Sequence, residues 1–179
     1  MNLGFLLEKR PAVRFHASRL LMQFVRSAFG ALGQGSLIVN PLAVRGLDHM
    51  FIGSGVLVNE GTWMQAEMDS DLTIGDNVYI GHRCHIHAVD HLVIGDDTMI
   101  ADGVTVSSGA HVGTNHGEVA KDGPIVIGKA VFIGEKALVK GGVTIGDGAT
   151  IGAGAIVTQD IPAGATAGGV PAKVLARGD

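Results

Sequence analysis

The stretch that decides the fold runs from Ile127 to Thr158 and reads IGKAVFIGEKALVKGGVTIGDGATIGAGAIVT. An aliphatic residue occupies every sixth position of it: Ile127, Ile133, Val139, Ile145, Ile151 and Val157. Small or β-branched residues take the fourth position after each: Val131, Ala137, Val143, Ala149 and Ala155. A period of six matches neither the 3.6-residue period of an α-helix nor simple strand alternation, whereas it fits a short strand followed by a turn.

The same period continues towards the N-terminus, with breaks. Aliphatic residues keep the spacing in three further groups: Ile52, Val58 and Met64; Ile74, Ile80 and Ile86; Ile94, Ile100, Val106 and Val112. The spacing widens between Met64 and Ile74, between Ile86 and Ile94, and most of all between Val112 and Ile127. We therefore expect a loop to leave the regular path at residues 113–123.

Each six-residue unit makes one wall, and three walls make one coil of a parallel β-helix. Repeats of this kind bury one continuous core by stacking, because a single coil cannot cover its own apolar face. The 28 glycines and the low aromatic content, 4%, suit many short elements with tight turns. We predict an all-β domain over residues 36–176, with about six or seven coils.

The first 35 residues differ from the repeat. The apolar residues from Phe15 to Leu32 are mixed with Arg19 and Arg26 and preceded by Arg14, which predicts a short amphipathic helix with a basic face. Two interpretations are open. The helix caps the β-helix or packs between subunits, or it makes peripheral contact with an anionic membrane surface.

Charge and cysteine content exclude several classes of protein. Residues 1–45 contain six Lys or Arg and one acidic residue, while the remainder carries seven basic and sixteen acidic residues. A body this acidic does not suit nucleic acid. The single cysteine, Cys84, excludes an intramolecular disulfide and is best interpreted as a small core residue. With no apolar stretch long enough for a signal peptide, a cytoplasmic location is expected.

Three motifs resemble one family. The sequence reads GTNHG at 113–117, GPIVIG at 123–128 and GGVPAKV at 168–174. With the six-residue repeat, they resemble the hexapeptide-repeat acyltransferases over residues 36–176, and within them the sugar and polysaccharide O-acetyltransferases of the maltose and colanic acid type. Those enzymes have Asp-His-Asn-His-Gly where this chain has Gly113 and Thr114 in place of the Asp and the first His. Of the pair of histidines, only His116 remains.

The resemblance implies a left-handed β-helix, a homotrimer and active sites between adjacent subunits. It also implies acetyl-CoA as the acetyl donor, no required metal, and a hydroxyl of a sugar or cell-surface polysaccharide precursor as the acceptor. His116 is the expected general base, since an imidazole with a pKa of about 6.5 is largely neutral in the cytoplasm.

Substrate and cofactor residues are predicted on the same basis. For the acceptor we expect Asn115, His87, Trp63 and Glu67. Coenzyme A is expected to lie along the C-terminal coils, near Gly134, Gly141, Gly142, Ala153 and Gly154, with Lys173 facing its phosphates.

Several alternatives stay open. The same base would serve N-acetylation of an amino sugar or of an antibiotic. His82 and His87, with His111, His116 and His49, also suggest a zinc enzyme like the gamma-class carbonic anhydrases, although the supporting segments of that family are missing. A non-catalytic scaffold is the third alternative. Among the other histidines, His82 and His85 are expected on the solvent face, and His111 is the reserve base.

Overall fold

The computed structural model describes residues 4–112 and 119–175. Within these ranges one α-helix, α1, spans Gly4–Val25, and a short 3-10 helix at Arg26–Ala28 leads into the first coil. None of the helical segments in the described part of the chain is long and apolar enough to cross a membrane.

The first three coils each contribute three short strands. Coil one has β1 (Ala31–Leu32), β2 (Leu37–Ile38) and β3 (Ala43–Arg45), and a 3-10 turn at Leu47–His49 follows it. Coil two has β4 (Met50–Ile52), β5 (Leu57–Val58) and β6 (Trp63–Ala66). Coil three has β7 (Leu72–Ile74), β8 (Tyr79–Ile80) and β9 (His85–Ala88).

A hairpin interrupts the later coils. Coil four has β10 (Leu92–Ile94), β11 (Met99–Ile100) and β12 (Thr105–Ser107), followed by the hairpin strands β13 (Gly109–His111) and β14 (Val119–Lys121). Coil five has β15 (Ile125–Ile127), β16 (Phe132–Ile133) and β17 (Leu138–Lys140); coil six has β18 (Thr144–Ile145), β19 (Thr150–Ile151) and β20 (Ile156–Val157). A partial seventh coil ends the chain with β21 (Thr166–Gly168) and β22 (Lys173–Val174).

Across the described residues these strands form three walls, which we name sheets A, B and C. Sheet A contains the first strand of each complete coil, sheet B the second with β21 and β22 added, and sheet C the third. Successive coils pair in parallel, so that Ile74 lies beside Ile94 and Ile94 beside Ile127. The structure confirms the predicted fold, an all-β parallel β-helix of hexapeptide repeats preceded by one α-helix.

The predicted core positions are buried. Ile127, Ile133, Val139, Ile145, Ile151 and Val157 are all 0% exposed, and the small residues of the fourth position are 1% exposed or less. Cys84 is also in the core, where burial raises the pKa of its thiol. Val112 is the exception: it was expected to continue the core, but it is 47% exposed because the hairpin has already carried the chain off the coil.

The helix prediction was wrong in its boundaries. We expected a helix within Phe15–Leu32, whereas α1 begins at Gly4, continues through Pro11 and ends at Val25. Phe29 and Leu32 are buried by the first coil instead, and β1 begins at Ala31, ahead of the expected domain start at residue 36. Proline at position 11 lies inside the helix, where this residue removes one backbone hydrogen bond.

The hairpin also starts earlier than the expected loop. β13 and β14 pair in antiparallel fashion, with Gly109 opposite Lys121 and His111 opposite Val119. The chain therefore leaves the coil at Gly109, not at residue 113. Residues 113–118, and with them the predicted Asn115 and His116, lie outside the described residues.

Candidate active site

The outer face of sheet C collects polar and aromatic side chains. Along β6, β9 and β12, every second residue points away from the core, and the strands pair in register. One row therefore contains Trp63, His85 and Thr105, and the next contains Gln65, His87 and Ser107. Paired residues on neighbouring strands lie about 5 Å apart, close enough for their side chains to interact.

Glu67 organises the polar row. Its Oε1 atom accepts a hydrogen bond from Gln65 Nε2 at 2.5 Å and lies 3.1 Å from His87 Nε2. Because a carboxylate only accepts hydrogen bonds, His87 has a proton on Nε2, and in the neutral ring the lone pair is then on Nδ1. The His87 side chain is 11% exposed, whereas that of Glu67 is 43% exposed. The imidazole is thus held in one orientation and one tautomer at the base of the face.

Trp63 packs against both histidines. Its ring centroid lies 4.4 Å from that of His85 with the planes tilted by 32°, and 5.0 Å from that of His87 with the planes at 88°. Burial, with a smaller contribution from the charge of His87, lowers the pKa of His85. His85 is therefore neutral at physiological pH and stacks on the indole as an uncharged ring.

A cavity of about 360 Å³ opens over these side chains. Its floor is the sheet C face, and one side is the hairpin, through Gly109, His111 and Val119. The described ends of the hairpin, His111 and Val119, therefore border the same cavity as Trp63 and His87.

Ser108 fixes the base of the hairpin. Its side chain is 0% exposed, and its Oγ atom accepts hydrogen bonds from the backbone N–H groups of Val89 and Asp90, each at 3.0 Å. The same hydroxyl donates to the Asp90 carbonyl at 2.8 Å. On the return strand, Lys121 Nζ donates to the Asp69 carbonyl at 3.0 Å. The hairpin is thereby tied to the coil that carries Glu67 and to the coil that carries His87.

Three of the four predicted acceptor residues come together. Trp63, Glu67 and His87 line one cavity, although they lie on different coils or on opposite sides of a phase break. The fourth, Asn115, and the expected base, His116, lie between the two hairpin strands, outside the described residues. The structure places the hairpin residues that flank them, His111 and Val119, beside the cavity.

The remaining histidines lie either on the outside of a corner or at the cavity. His82 lies on the outside, as expected, with its Nδ1 atom 3.3 Å from Asp102. His85 also lies on the exposed outer face, as expected, and there its ring stacks on Trp63 and lines the cavity. His111, the reserve base, also lines it. Sequence reasoning missed Gln65 and Ser107, whose only signal is their register two residues after Trp63 and Thr105.

The predicted cofactor residues lie in coils five to seven, next to the C-terminal part of sheet C. Gly134, Ala153 and Gly154 follow the sheet B strands of coils five and six, at the corner that leads into sheet C. Gly141 and Gly142 lie at the opposite corner, directly after β17. Lys173 lies in β22, next to Ala172, whose N–H donates to the Ile156 carbonyl of β20 at 2.8 Å.

These glycines differ in what they require. A Cβ atom at Gly134 would lie 2.6 Å from the backbone nitrogen of Ala153, and one at Gly141 would lie 2.7 Å from the Asp122 carbonyl. Both are therefore needed for the close approach of neighbouring chain segments. At Gly154, with φ of +68°, a Cβ would meet nothing within 4 Å. That corner has open space for a ligand.

The zinc alternative finds no support in the placement of its residues. His82 lies at the corner between sheets B and C, whereas His49 lies at the corner between sheets C and A, 3.3 Å from Asp71. Within residues 4–112 and 119–175, no three His, Cys, Asp or Glu side chains come together in a way that could hold a metal ion.

Comparisons with known proteins agree with the repeat. A family model described as "Bacterial transferase hexapeptide (six repeats)" matches residues 124–159, and one described as "Hexapeptide repeat of succinyl-transferase" matches residues 71–115. No curated protein sequence matches the chain.

Solved structures give a fuller picture. A galactoside acetyltransferase in complex with coenzyme A is 30% identical, with 86% of this chain and 68% of that chain covered and a TM-score of 0.53. A maltose O-acetyltransferase from Clostridium difficile 630 is 24% identical over 95% of this chain and 87% of its own, with a TM-score of 0.57. AntD, an N-acyltransferase from Bacillus cereus bound to dTDP and 3-hydroxybutyryl-CoA, is 18% identical over 87% and 86%, with a TM-score of 0.74.

Proposed function

Because the chain belongs to the hexapeptide-repeat transferase family, we propose that it transfers the acetyl group of acetyl-CoA to a hydroxyl of a sugar or of a cell-surface polysaccharide precursor. The observation that carries this proposal is the cavity on sheet C, where an indole, two imidazoles and a carboxylate lie beside the hairpin. An aromatic face flanked by hydrogen-bonding groups suits a sugar ring, which is apolar on its faces and polar around its edge.

His116 is the proposed general base. It takes the proton of the acceptor hydroxyl as the oxygen attacks the thioester carbonyl carbon. The tetrahedral intermediate then collapses, the C–S bond breaks, and the proton passes to the departing coenzyme A sulfur. A positioned base of this kind contributes about 10²–10⁴-fold to the rate. The support for His116 is its motif and its position in the chain between two strands that border the cavity.

The acceptor is proposed to lie on the sheet C face. Trp63 offers its indole to the sugar ring, and His87 Nδ1 can accept a hydrogen bond from a neighbouring hydroxyl, since Glu67 holds its Nε2 proton. Glu67 retains a second oxygen, Oε2, as an acceptor for another hydroxyl. Asn115 completes the proposed acceptor set.

Acetyl-CoA is proposed to run along the upper coils towards this cavity. Gly154 offers open space at its corner, Ala153, Gly134, Gly141 and Gly142 border the path, and Lys173 pairs with a phosphate. We also propose that the chain forms a homotrimer, as its family resemblance implies, with the donor and acceptor meeting where subunits adjoin.

N-acetylation of an amino sugar is the second candidate. The observation that favours it is Glu67, whose partly exposed carboxylate at the cavity can pair with a protonated amine. An antibiotic acceptor would be reached by the same chemistry.

The acceptor is tested by measuring thiol release from acetyl-CoA against a panel of sugars, matched amino sugars and chloramphenicol. Alkaline hydroxylamine then distinguishes the products, because it cleaves an ester and leaves an amide intact. We expect release that depends on a sugar hydroxyl and a product labile to hydroxylamine. A stable product formed only from the amino sugars would replace O-acetylation by N-acetylation, and no release with any acceptor would overturn both.

A further inference from the structure

The outward face of α1 is apolar and uncovered among the described residues. Val13, Leu20 and Phe24 are 64%, 58% and 75% exposed. The value for Phe24 is among the highest for a large apolar side chain in the described residues. At 100° per residue these three side chains project in nearly the same direction, since they are spaced by seven and four positions. Leu21, 54% exposed, extends the same face towards the first coil.

The opposite face fixes the helix to the β-helix. Ser18 is buried, and its Oγ atom accepts a hydrogen bond from the Asn40 backbone N–H at 3.1 Å. Met22 and Val25 pack against the core, and Arg14 forms an ion pair with Glu60 at 2.7 Å. Because this face is occupied by the protein itself, the face with Val13, Leu20 and Phe24 has to point away from it.

Positive charge flanks the apolar face. Arg10 lies about 60° round the helix from this face on one side and Arg19 about 120° on the other, both exposed. Residues 10–28 contain four arginines and no acidic residue. The rest of the molecule has the opposite sign, with seven basic and sixteen acidic residues after position 45. An anionic surface therefore attracts the helix and repels the body.

We propose that α1 docks on an anionic lipid bilayer, lying in the plane of the interface with Val13, Leu20 and Phe24 in the acyl region and the arginines at the headgroups. A helix with apolar residues on one face and Lys or Arg beside them binds membranes in this way. A second copy of the same helix fits less well, because each copy has four arginines and no acidic residue over residues 10–28 to pair with them.

The test is co-sedimentation of the full chain with vesicles of phosphatidylcholine alone or with 30% phosphatidylglycerol at low salt. The wild type is expected to bind the anionic vesicles and to be released by about 0.5 M salt, because surface charges are then screened. The pair Arg10→Gln and Arg19→Gln should lower the partition coefficient roughly 30-fold, at about 1 kcal/mol for each arginine. Within the described part of the chain, neither arginine has a structural bond comparable to those of Arg14 and Arg26.

A second pair of variants isolates the apolar face. Leu20→Ser with Phe24→Ser should abolish vesicle binding, whereas Phe51→Ser, at an exposed phenylalanine of β4, should leave it unchanged. Light scattering on the same samples reports the oligomeric mass. Equal binding to both vesicle types, or no binding to either, would overturn the proposal. So would a changed mass in the Leu20 and Phe24 variant with intact vesicle binding, which would assign the face to a second copy.

Discussion

The carboxylate of Glu67 decides how the His87 imidazole meets an acceptor. Because its Oε1 atom accepts the hydrogen bond of His87 Nε2 at 3.1 Å, Nδ1 is the acceptor atom of the neutral imidazole. Gln65 donates to the same oxygen and so holds the carboxylate in place. A neutral residue at position 67 would loosen both neighbours.

Glu67→Gln is therefore expected to lower kcat/KM for the acceptor by about 10- to 100-fold, the loss that follows from one charge-assisted hydrogen bond. The KM for acetyl-CoA should stay the same. Steady-state kinetics with each substrate varied in turn measures both. Glu60→Gln is the matched control, because Glu60 pairs with Arg14 at a different corner. Equal losses in the two variants would mean that the loss at position 67 is not specific to the acceptor site.

The stacking of His85 on Trp63 can be read by NMR. Burial lowers the pKa of His85, so its ring is expected to titrate below the ordinary value of about 6.5. Since the folded state binds a proton less readily than the unfolded state, this histidine contributes stability above pH 6.5 that is lost as the pH falls. Trp63→Ala should move the midpoint back towards 6.5. A wild-type midpoint at or above 6.5 would contradict the observed packing.

How much of the site was predictable differs from residue to residue. Trp63, Glu67 and His87 were expected from the phase breaks and the resemblance, and they share a cavity. His85 lies on the exposed outer face, as expected, but its stacking on a neighbour of the preceding coil was not predicted. That neighbour, Trp63, is 22 residues away in the sequence, and breaks of unequal length hide the register.

At the scale of elements, the coil depends on its inward aliphatic column. Ile133 is 0% exposed and packs between the equivalent residues of the coils on either side, Ile100 and Ile151. Ile133→Ala is expected to lower the free energy of unfolding by about 2–5 kcal/mol, because it removes buried methylenes and leaves a cavity. Val126→Ala, at an outward position 41% exposed, should change it by less than about 0.5 kcal/mol. Urea unfolding compares the two, and similar losses would contradict the assignment of inward and outward positions.

A matched pair of corner glycines tests the path of the cofactor. Gly154 and Gly148 have φ of +68° and +67°, and a Cβ atom at either would meet no protein atom within 4 Å. Only Gly154 lies at the corner next to sheet C. Both alanine variants should lose about 1–2 kcal/mol of stability, because an L residue is strained at this φ, but only Gly154→Ala should raise the KM for acetyl-CoA. An unchanged KM in Gly154→Ala, or an equal rise in both, would place the cofactor elsewhere.

The elements show where sequence periodicity is reliable. The aliphatic residues at every sixth position of coils two to six were identified and are buried, because stacking forces the same residue type into every equivalent position. The helix and the hairpin were misplaced at their ends. Neither repeats, so nothing in the pattern marks that α1 extends through Pro11 or that the chain leaves the coil at Gly109.

In the whole molecule, the N-terminal segment and the β-helix differ in charge and in the surface that each exposes. The basic N-terminal segment holds an apolar face outward, while the acidic β-helix carries the cavity on sheet C. Docking through α1 would orient the β-helix with respect to a membrane. It would not alter the chemistry proposed for the cavity, so a negative result for one proposal leaves the other unchanged.

The most direct test of the central claim is thiol release from acetyl-CoA by wild type, His116→Ala and His111→Ala, with the best acceptor of the panel. All three should keep the same circular dichroism spectrum and oligomeric mass. The account predicts that His116→Ala loses about 10²–10⁴-fold in kcat while His111→Ala stays within a few-fold of wild type. Normal turnover by His116→Ala, or a severe loss in His111→Ala alone, would contradict it.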